Sequence, residues 1–314
     1  MSVYTPLTQT QVELFMAGFP LGELQHYQGI EAGVENTNFF VTTTQGEFVL
    51  TLFEQHQYDE VRELVTLAHH LGKAGLQVPA PLDDKQGEWL HTLENKPAIL
   101  CHRLPGNHIE QPSEAHCFAI GAALAELHQA ARDLSQNRPD EHGLEWASSM
   151  RSDLADDLST AEKSLLADEI QWQQANQAQW QSLPTGWIHG DLFHDNALFV
   201  RSESADQVGA ILDLYHASSG VLLMDLAIVA NDWCCDKQGN WLGNKQQSLL
   251  DGYCSVRPLS DAELAGWNQA LRAGALRWWV GRLANRRKQQ QSGAEMTAIK
   301  DPGEYQAKLE KHRA

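Results

Sequence analysis

What most constrains this chain is a change of pattern near residue 105. Before it the sequence reads as strands and turns. After it the sequence reads as helices, interrupted once. Residues 38–43 and 46–53 are rich in β-branched and aromatic side chains, and Thr44-Gln45-Gly46 separates them, which predicts a hairpin. Apolar residues at 61, 64, 65, 67, 68 and 71 recur at helical spacing, and Gly75 offers a C-cap. Val78-Pro79-Ala80-Pro81 is a breaker, because each proline disfavours helix in the residue before it. Strand-like pieces follow at 88–93 and 97–104, then Pro105-Gly106-Asn107 as a connection. Beyond it Ser113 caps a helix through His128, 151–181 is polar and helical, and helix dominates again from Leu222. The interruption runs from Trp187 to Asp213 and holds short extended pieces at 187–191, 197–200 and 210–213. The expected fold class is α+β in two lobes, a β-rich N-terminal lobe over 1–104 and a mainly helical C-terminal lobe over 105–314.

The interruption also carries the chemistry. It contains His189-Gly190-Asp191-Leu192-Phe193-His194-Asp195-Asn196 and, further on, Asp213-Leu214-Tyr215. Phosphoryl transfer needs a carboxylate to orient and deprotonate the attacking hydroxyl, and oxygen ligands for Mg²⁺ on the nucleotide phosphates. Asp191 suits the first role, Asn196 and Asp213 the second. Strand-end caps or solvated surface charges are the ordinary alternative for these acids. A zinc hydrolase reading of His189, Asp191, His194 and Asp195 lacks the HExxH spacing.

Charge narrows the partners. With 23 Lys+Arg against 41 Asp+Glu the formal net charge is −18, which argues against nucleic acid or an anionic membrane as partner. The sequence shows no secretory signal pattern and no apolar run long enough to span a bilayer. Its five cysteines have no framework spacing, so a reduced, cytoplasmic protein with structural thiols is expected.

HGDLFHDN with ILDLY resembles the catalytic core of the aminoglycoside phosphotransferase and choline kinase-like group, relatives of the protein kinases. Asp225, in Leu223-Met224-Asp225-Leu226-Ala227, resembles the structural acid that follows the metal-binding Asp there. Residues 29–41 and 48–52, Asn231-Asp232-Trp233-Cys234, Arg277-Trp278-Trp279 with Arg282-Leu283, and Asp301-Pro302-Gly303-Glu304-Tyr305 are similar to the homoserine kinase branch. The resemblance implies a bilobal protein kinase-like fold, ATP and Mg²⁺ as cofactors, and L-homoserine as the small-molecule substrate, phosphorylated on the way to threonine. Choline, methylthioribose or an aminoglycoside are the alternative acceptors. It leaves oligomeric state open.

The same resemblance implies nucleotide contacts from Gly29, Ile30, Glu31, Gly33, Asn36 and Asn38, from Leu50, and from Cys101 and Arg103 of a hinge strand. The glycine-containing loop suits an anion nest, and equally an ordinary hairpin turn. One departure stands out: Thr51 occupies the strand position where protein kinases place a lysine. That gap is the one feature favouring a catalytically silent nucleotide-binding module. For the acceptor, Arg277 or Arg282 would take a carboxylate, and Asp195, Asn231 or Asp232 an ammonium, with His194 and Trp233 beside them. Packing of the arginine stems against the Trp-rich helix fits equally well.

Overall fold

The computed structural model describes residues 4–30, 36–135, 138–202, 206–292 and 300–314. The chain divides into two compact units. One takes the chain as far as Asn107 together with Leu198–Val200 and Gly209–Tyr215, and the other takes the remainder.

The first unit begins with helix α1 (Gln9–Met16), closed at its start by a reciprocal cap between Thr8 and Gln11. Strand β1 (Leu24–Gly29) follows, then β2 (Thr37–Thr43), β3 (Gly46–Leu52), helix α2 (Tyr58–Lys73), β4 (His91–Leu93) and β5 (Lys96–His102). The strands form an antiparallel sheet in the order β1-β2-β3-β5-β4. The sequence pattern did not anticipate α1 or β1. Only Val12 and Met16 of α1 are buried, too few for a helical period to stand out, and no residue of β1 is fully buried. Glu94 and Asn95, both at positive φ, turn β4 into β5 in two residues.

Alternation along the strands sorts this sheet into two faces. Phe39, Val41, Phe48, Leu50, Leu52 and Leu100 point one way and pack with Val12, Met16 and Phe19. Ile99 and Cys101 point the other way and pack, with Phe53, on Val61, Leu64 and Val65 of α2. Asn38, Phe40, Val49 and Thr51 share that second face, in the cross-strand pairs Asn38–Thr51 and Phe40–Val49. The later segments join the same unit: Phe199 and Asn107 exchange backbone hydrogen bonds, Ile211 N donates to Gln77 O, and Tyr215 packs edge-on against Phe53.

The second unit contains α3 (Glu114–Ala130), started by Ser113 as expected, then α4 (Leu144–Asp153), α5 (Thr160–Ala175) and α6 (Gln177–Gln181). Strand β6 (Thr185–Ile188) leads into the catalytic motif. After it come β7 (Ala197–Val200) and β8 (Gln207–Ile211), which pair with each other and belong largely to the first unit, and then, back in the second, β9 (Ser218–Val221), which pairs antiparallel with β6. Helices α7 (Leu222–Trp233), α8 (Lys245–Val256), α9 (Asp261–Ser292) and α10 (Pro302–Arg313) complete it. Every residue of α7 except Asp232 is buried, the mark of a core helix apolar nearly all round. Its buried polar residues, Asp225 and Asn231, must therefore find partners inside the protein. The five cysteines are free thiols, and among the described residues no helix is long and apolar enough to cross a membrane.

Candidate active site

Beyond Ile188 the chain leaves β6 and turns at Gly190, whose φ of +77° favours glycine. The turn is held from below by α7. Asp225, fully buried, accepts from His189 N (2.6 Å, Oδ2) and from Gly190 N (2.9 Å, Oδ1). Its Oδ2 also meets His128 Nε2 at 3.0 Å, and His128 Nδ1 meets the Tyr253 hydroxyl at 2.7 Å. Burial alone would push the Asp225 carboxyl up. The His128 hydrogen bond and charge, His189 and the Gly190 amide outweigh it and hold the group below the usual carboxylate range.

Asp232 lies seven residues further along α7, on the same side and about 10 Å away along the axis. It accepts from His194 N (2.8 Å) and from His194 Nδ1 (2.7 Å), and that hydrogen bond raises the imidazole's pKa. Between these grips Trp233 Nε1 donates to Leu192 O at 3.0 Å. One helix thus fixes the segment from His189 to His194 at both ends and in the middle.

Asp191 sits within this fixed segment. Its amide donates to His189 Nδ1 at 3.2 Å, and Asn196 Nδ2 donates to its main-chain oxygen (2.8 Å) and to its Oδ2 (3.2 Å). Asp191 and Asn196 are therefore brought together as the motif implies. With its NH₂ on Asp191, the Asn196 amide leaves Oδ1 as the atom for a cation, and an amide oxygen suits a hard divalent ion. The third motif residue, Asp213, belongs to the first unit. It follows β8 with a φ of +56°, an uncommon conformation outside glycine and one that recurs at functional sites. The zinc alternative finds no site, because among the described residues no group of three or more His, Cys, Asp or Glu side chains is placed to hold a metal ion.

Several expected contacts are redirected. Asn231 is fully buried and spends its amide on Leu271 O (3.0 Å) and His312 Nε2 (2.7 Å), so it ties helices together instead of meeting an acceptor. Arg282, also buried, donates to Asp301 O and Glu304 Oε2, both at 2.8 Å, and lies over the Tyr305 ring: it is the clamp for α10. Trp233 is buried beneath the loop and supports Leu192. Asp232 spends one oxygen on His194, and Asp195 pairs with Lys300 on the surface (3.1 Å). Arg277 is buried and donates to Asp140 Oδ1 at 2.7 Å, a partner with no motif to announce it.

On the nucleotide side, Leu50 points into the core with α1 and Cys101 into the packing with α2, its thiol on Pro79 O, so neither side chain is free for a base. Arg103 is exposed, lies over the Phe40 ring and donates its amide to Glu47 O. Gly29 pairs with Phe39 in the sheet, and Ile30 N donates to Asn38 O at 2.8 Å. Asn36 is buried, and Asn38 Oδ1 accepts from the Thr51 hydroxyl at 2.7 Å. Glu31 and Gly33 lie outside the described residues.

A sequence model of the phosphotransferase enzyme family matches residues 26–259. The chain belongs to that family. Among its relatives is a homoserine kinase of Janthinobacterium sp. (strain Marseille), 37% identical over 309 residues, covering 98% of this chain and 94% of that one. Among solved structures, an aminoglycoside phosphotransferase from Alicyclobacillus acidocaldarius is similar with a TM-score of 0.70 at 16% identity, over 98% of this chain and 94% of the other. An amicoumacin kinase in complex with AMP-PNP, Ca²⁺ and Ami gives a TM-score of 0.65 at 14% identity, over 98% and 92%. The fold is thus the bilobal, kinase-like α+β fold of this phosphotransferase family.

Proposed function

We propose that the protein transfers the γ-phosphoryl group of ATP to the hydroxyl of L-homoserine, giving O-phospho-L-homoserine, as a cytoplasmic enzyme of threonine biosynthesis. The observation that carries the acceptor is the near-full-length relative named homoserine kinase. What supports the chemistry is the fixed Asp191 with Asn196 upon it. In this reading the first unit holds the nucleotide, and the second carries out transfer.

The mechanism is in-line. The homoserine hydroxyl attacks the γ-phosphorus while an Asp191 carboxylate oxygen takes its proton. Asn196, donating to the main-chain oxygen and to Oδ2, limits which way that carboxylate can turn. The α7 carboxylates hold the surrounding backbone still, so little reorganisation is needed at the moment of transfer. Asn196 and Asp213 are the residues that would hold Mg²⁺, which when bound offsets charge on the phosphate oxygens. The divalent ion and ATP analogue of the amicoumacin kinase support this cofactor pair.

The test is a panel of alcohols with Mg-ATP: homoserine, choline, methylthioribose and kanamycin. Homoserine is expected to lead, and a clear preference for any other overturns the assignment. Asp191→Asn is expected to lower kcat by roughly 10²–10⁴-fold, and near-normal turnover would remove Asp191 from the role of base.

A further inference from the structure

Within the second unit, a cavity of about 410 Å³ opens between β6, β9, α7 and α9. Its walls are largely apolar, with Leu144, Ile188, Val221, Met224 and Leu276 among them, and Asp140 and Arg277 bring opposite charges into the same lining. This is the form of a small-molecule site, a concave apolar surface with a few placed polar groups.

We propose that this cavity is the pocket for the acceptor's α-amino-acid group, with Arg277 taking the α-carboxylate and Asp140 the α-ammonium. The assignment rests on the homoserine reading above and says which residues make it selective.

Three features carry it. The first is the place of the guanidinium. A Cβ built on Gly190 would stand 3.4 Å from Arg277 Nη2 and 3.0 Å from His216 O. With Nη2 at that ordinary van der Waals distance, the Arg277 guanidinium lies beside the backbone one Cα step, about 3.8 Å, from Asp191. In homoserine the reactive hydroxyl is three bonds from the α-carbon, so α-groups held at Arg277 direct that hydroxyl toward the base.

The second is charge. Arg277 and Asp140 pair at 2.7 Å with side-chain exposures of only 7% and 20%, so both charges act with reduced screening by water. Arg277 commits Nη1 to Asp140, which leaves the rest of its fork for a carboxylate. A zwitterion laid along the pair meets an opposite charge at each end. Neutral or wholly cationic alcohols do not.

The third is rigidity. Asp140 Oδ1 also accepts from His142 N (3.0 Å), and the segment before it is tied to β9 through Ser219 N to Arg138 O (2.6 Å) and Arg138 Nη1 to Ala217 O (3.0 Å). The His142 ring packs edge-on against Trp146. Burial first, and then the Arg277 charge, lower its pKa, which keeps it neutral beside the pair.

The experiment uses the full-length enzyme and three acceptors: L-homoserine, 3-amino-1-propanol, which lacks the carboxylate, and 4-hydroxybutanoate, which lacks the ammonium. Arg277→Gln is expected to lower the homoserine to 3-amino-1-propanol ratio of kcat/KM by roughly 10²-fold. Asp140→Asn is expected to lower the homoserine to 4-hydroxybutanoate ratio by about 10-fold or more. A purely structural role would depress all three acceptors by one factor and leave both ratios unchanged, which overturns the pocket. Asp140→Asn is nearly isosteric, so it reads the ammonium arm even where Arg277→Gln folds poorly. Wild-type preference for choline or kanamycin overturns the homoserine reading itself. Unchanged ratios in an enzyme that prefers homoserine overturn the pocket alone.

Discussion

From His189 to His194 the catalytic loop hangs on two carboxylates of one buried helix, Asp225 and Asp232, which between them accept three of its backbone amides. The second face of the sheet in the other unit is held differently. There the cross-strand polar pair is neutral, the Thr51 hydroxyl on the Asn38 amide, in the place where a lysine would be usual. Buried charge locks a backbone rigidly because breaking its bonds strands an ion, whereas a neutral pair fixes a side chain at little cost. The loop is therefore preorganised by the fold. In the proposed reaction a divalent ion offsets the nucleotide's phosphate charge for a chain whose own net charge is −18.

The sharpest way to break this contrast is Asp225→Asn. The carboxylate serves His189 N, Gly190 N and His128, and an amide has a single oxygen with which to replace two. One N–H would then face another N–H. We expect a loss of about 3–5 kcal/mol of unfolding free energy, read from urea curves. A loss below about 1 kcal/mol would mean that the loop is not held by this charge.

A smaller effect tests the far end of α7 through pH. His312 on α10 meets Asn231 Oδ1 at 2.7 Å, and burial, then the Lys308 and Arg272 charges, push its pKa down to about 4. The unfolded chain takes up this proton below about pH 6.5, the folded one only near pH 4. Stability from this group is thus complete above pH 6.5 and declines as pH falls toward 4, by at most about 3 kcal/mol. Urea unfolding at a series of pH values should show the decline, and His312→Asn should flatten it. An unchanged slope in the variant would place the acid sensitivity elsewhere.

These groups also mark what the sequence could and could not express. The HGDLFHDN segment was legible because its chemistry needs fixed residue types within a few positions, and the loop closes on itself through Asn196 and Asp191. Asp140 was not. It reaches Arg277 only through the tertiary fold, from a segment without motif or period. Leu50 is implied by the resemblance alone, and its side chain packs in the core with Phe39 and Phe48; with Leu50, Thr51 and Leu52 all buried, alternation along β3 does not tell core from site. Asn231 and Arg282 look like ligands in a list of polar residues. Their partners, Leu271 O, His312, Asp301 O and Glu304, are visible only in three dimensions.

The outer grip on the loop is less deeply buried than the inner one, so it should affect catalysis more than folding. Asp232→Asn removes the charge from its hydrogen bonds with His194 N and Nδ1. We expect kcat to fall by roughly 10-fold, with the midpoint of thermal unfolding moving far less than in Asp225→Asn. Equal losses of stability in the two variants would erase the distinction between the ends of the loop.

The mildest change probes the neutral side. Thr51→Val keeps the shape of a buried β-branched residue and deletes the hydroxyl that donates to Asn38 Oδ1 at 2.7 Å. Losing one neutral hydrogen bond of about 1 kcal/mol corresponds to a change of about 5-fold. Because the pair orients the Asn38 amide on the second face of the sheet, the loss should appear in KM for ATP. Both kcat and the acceptor's KM should be nearly unchanged, and Thr51→Ser, which restores the donor, should recover the wild-type value. If KM for ATP does not move in Thr51→Val, the Asn38–Thr51 pair is only a strand contact, and the nucleotide is held by backbone groups alone.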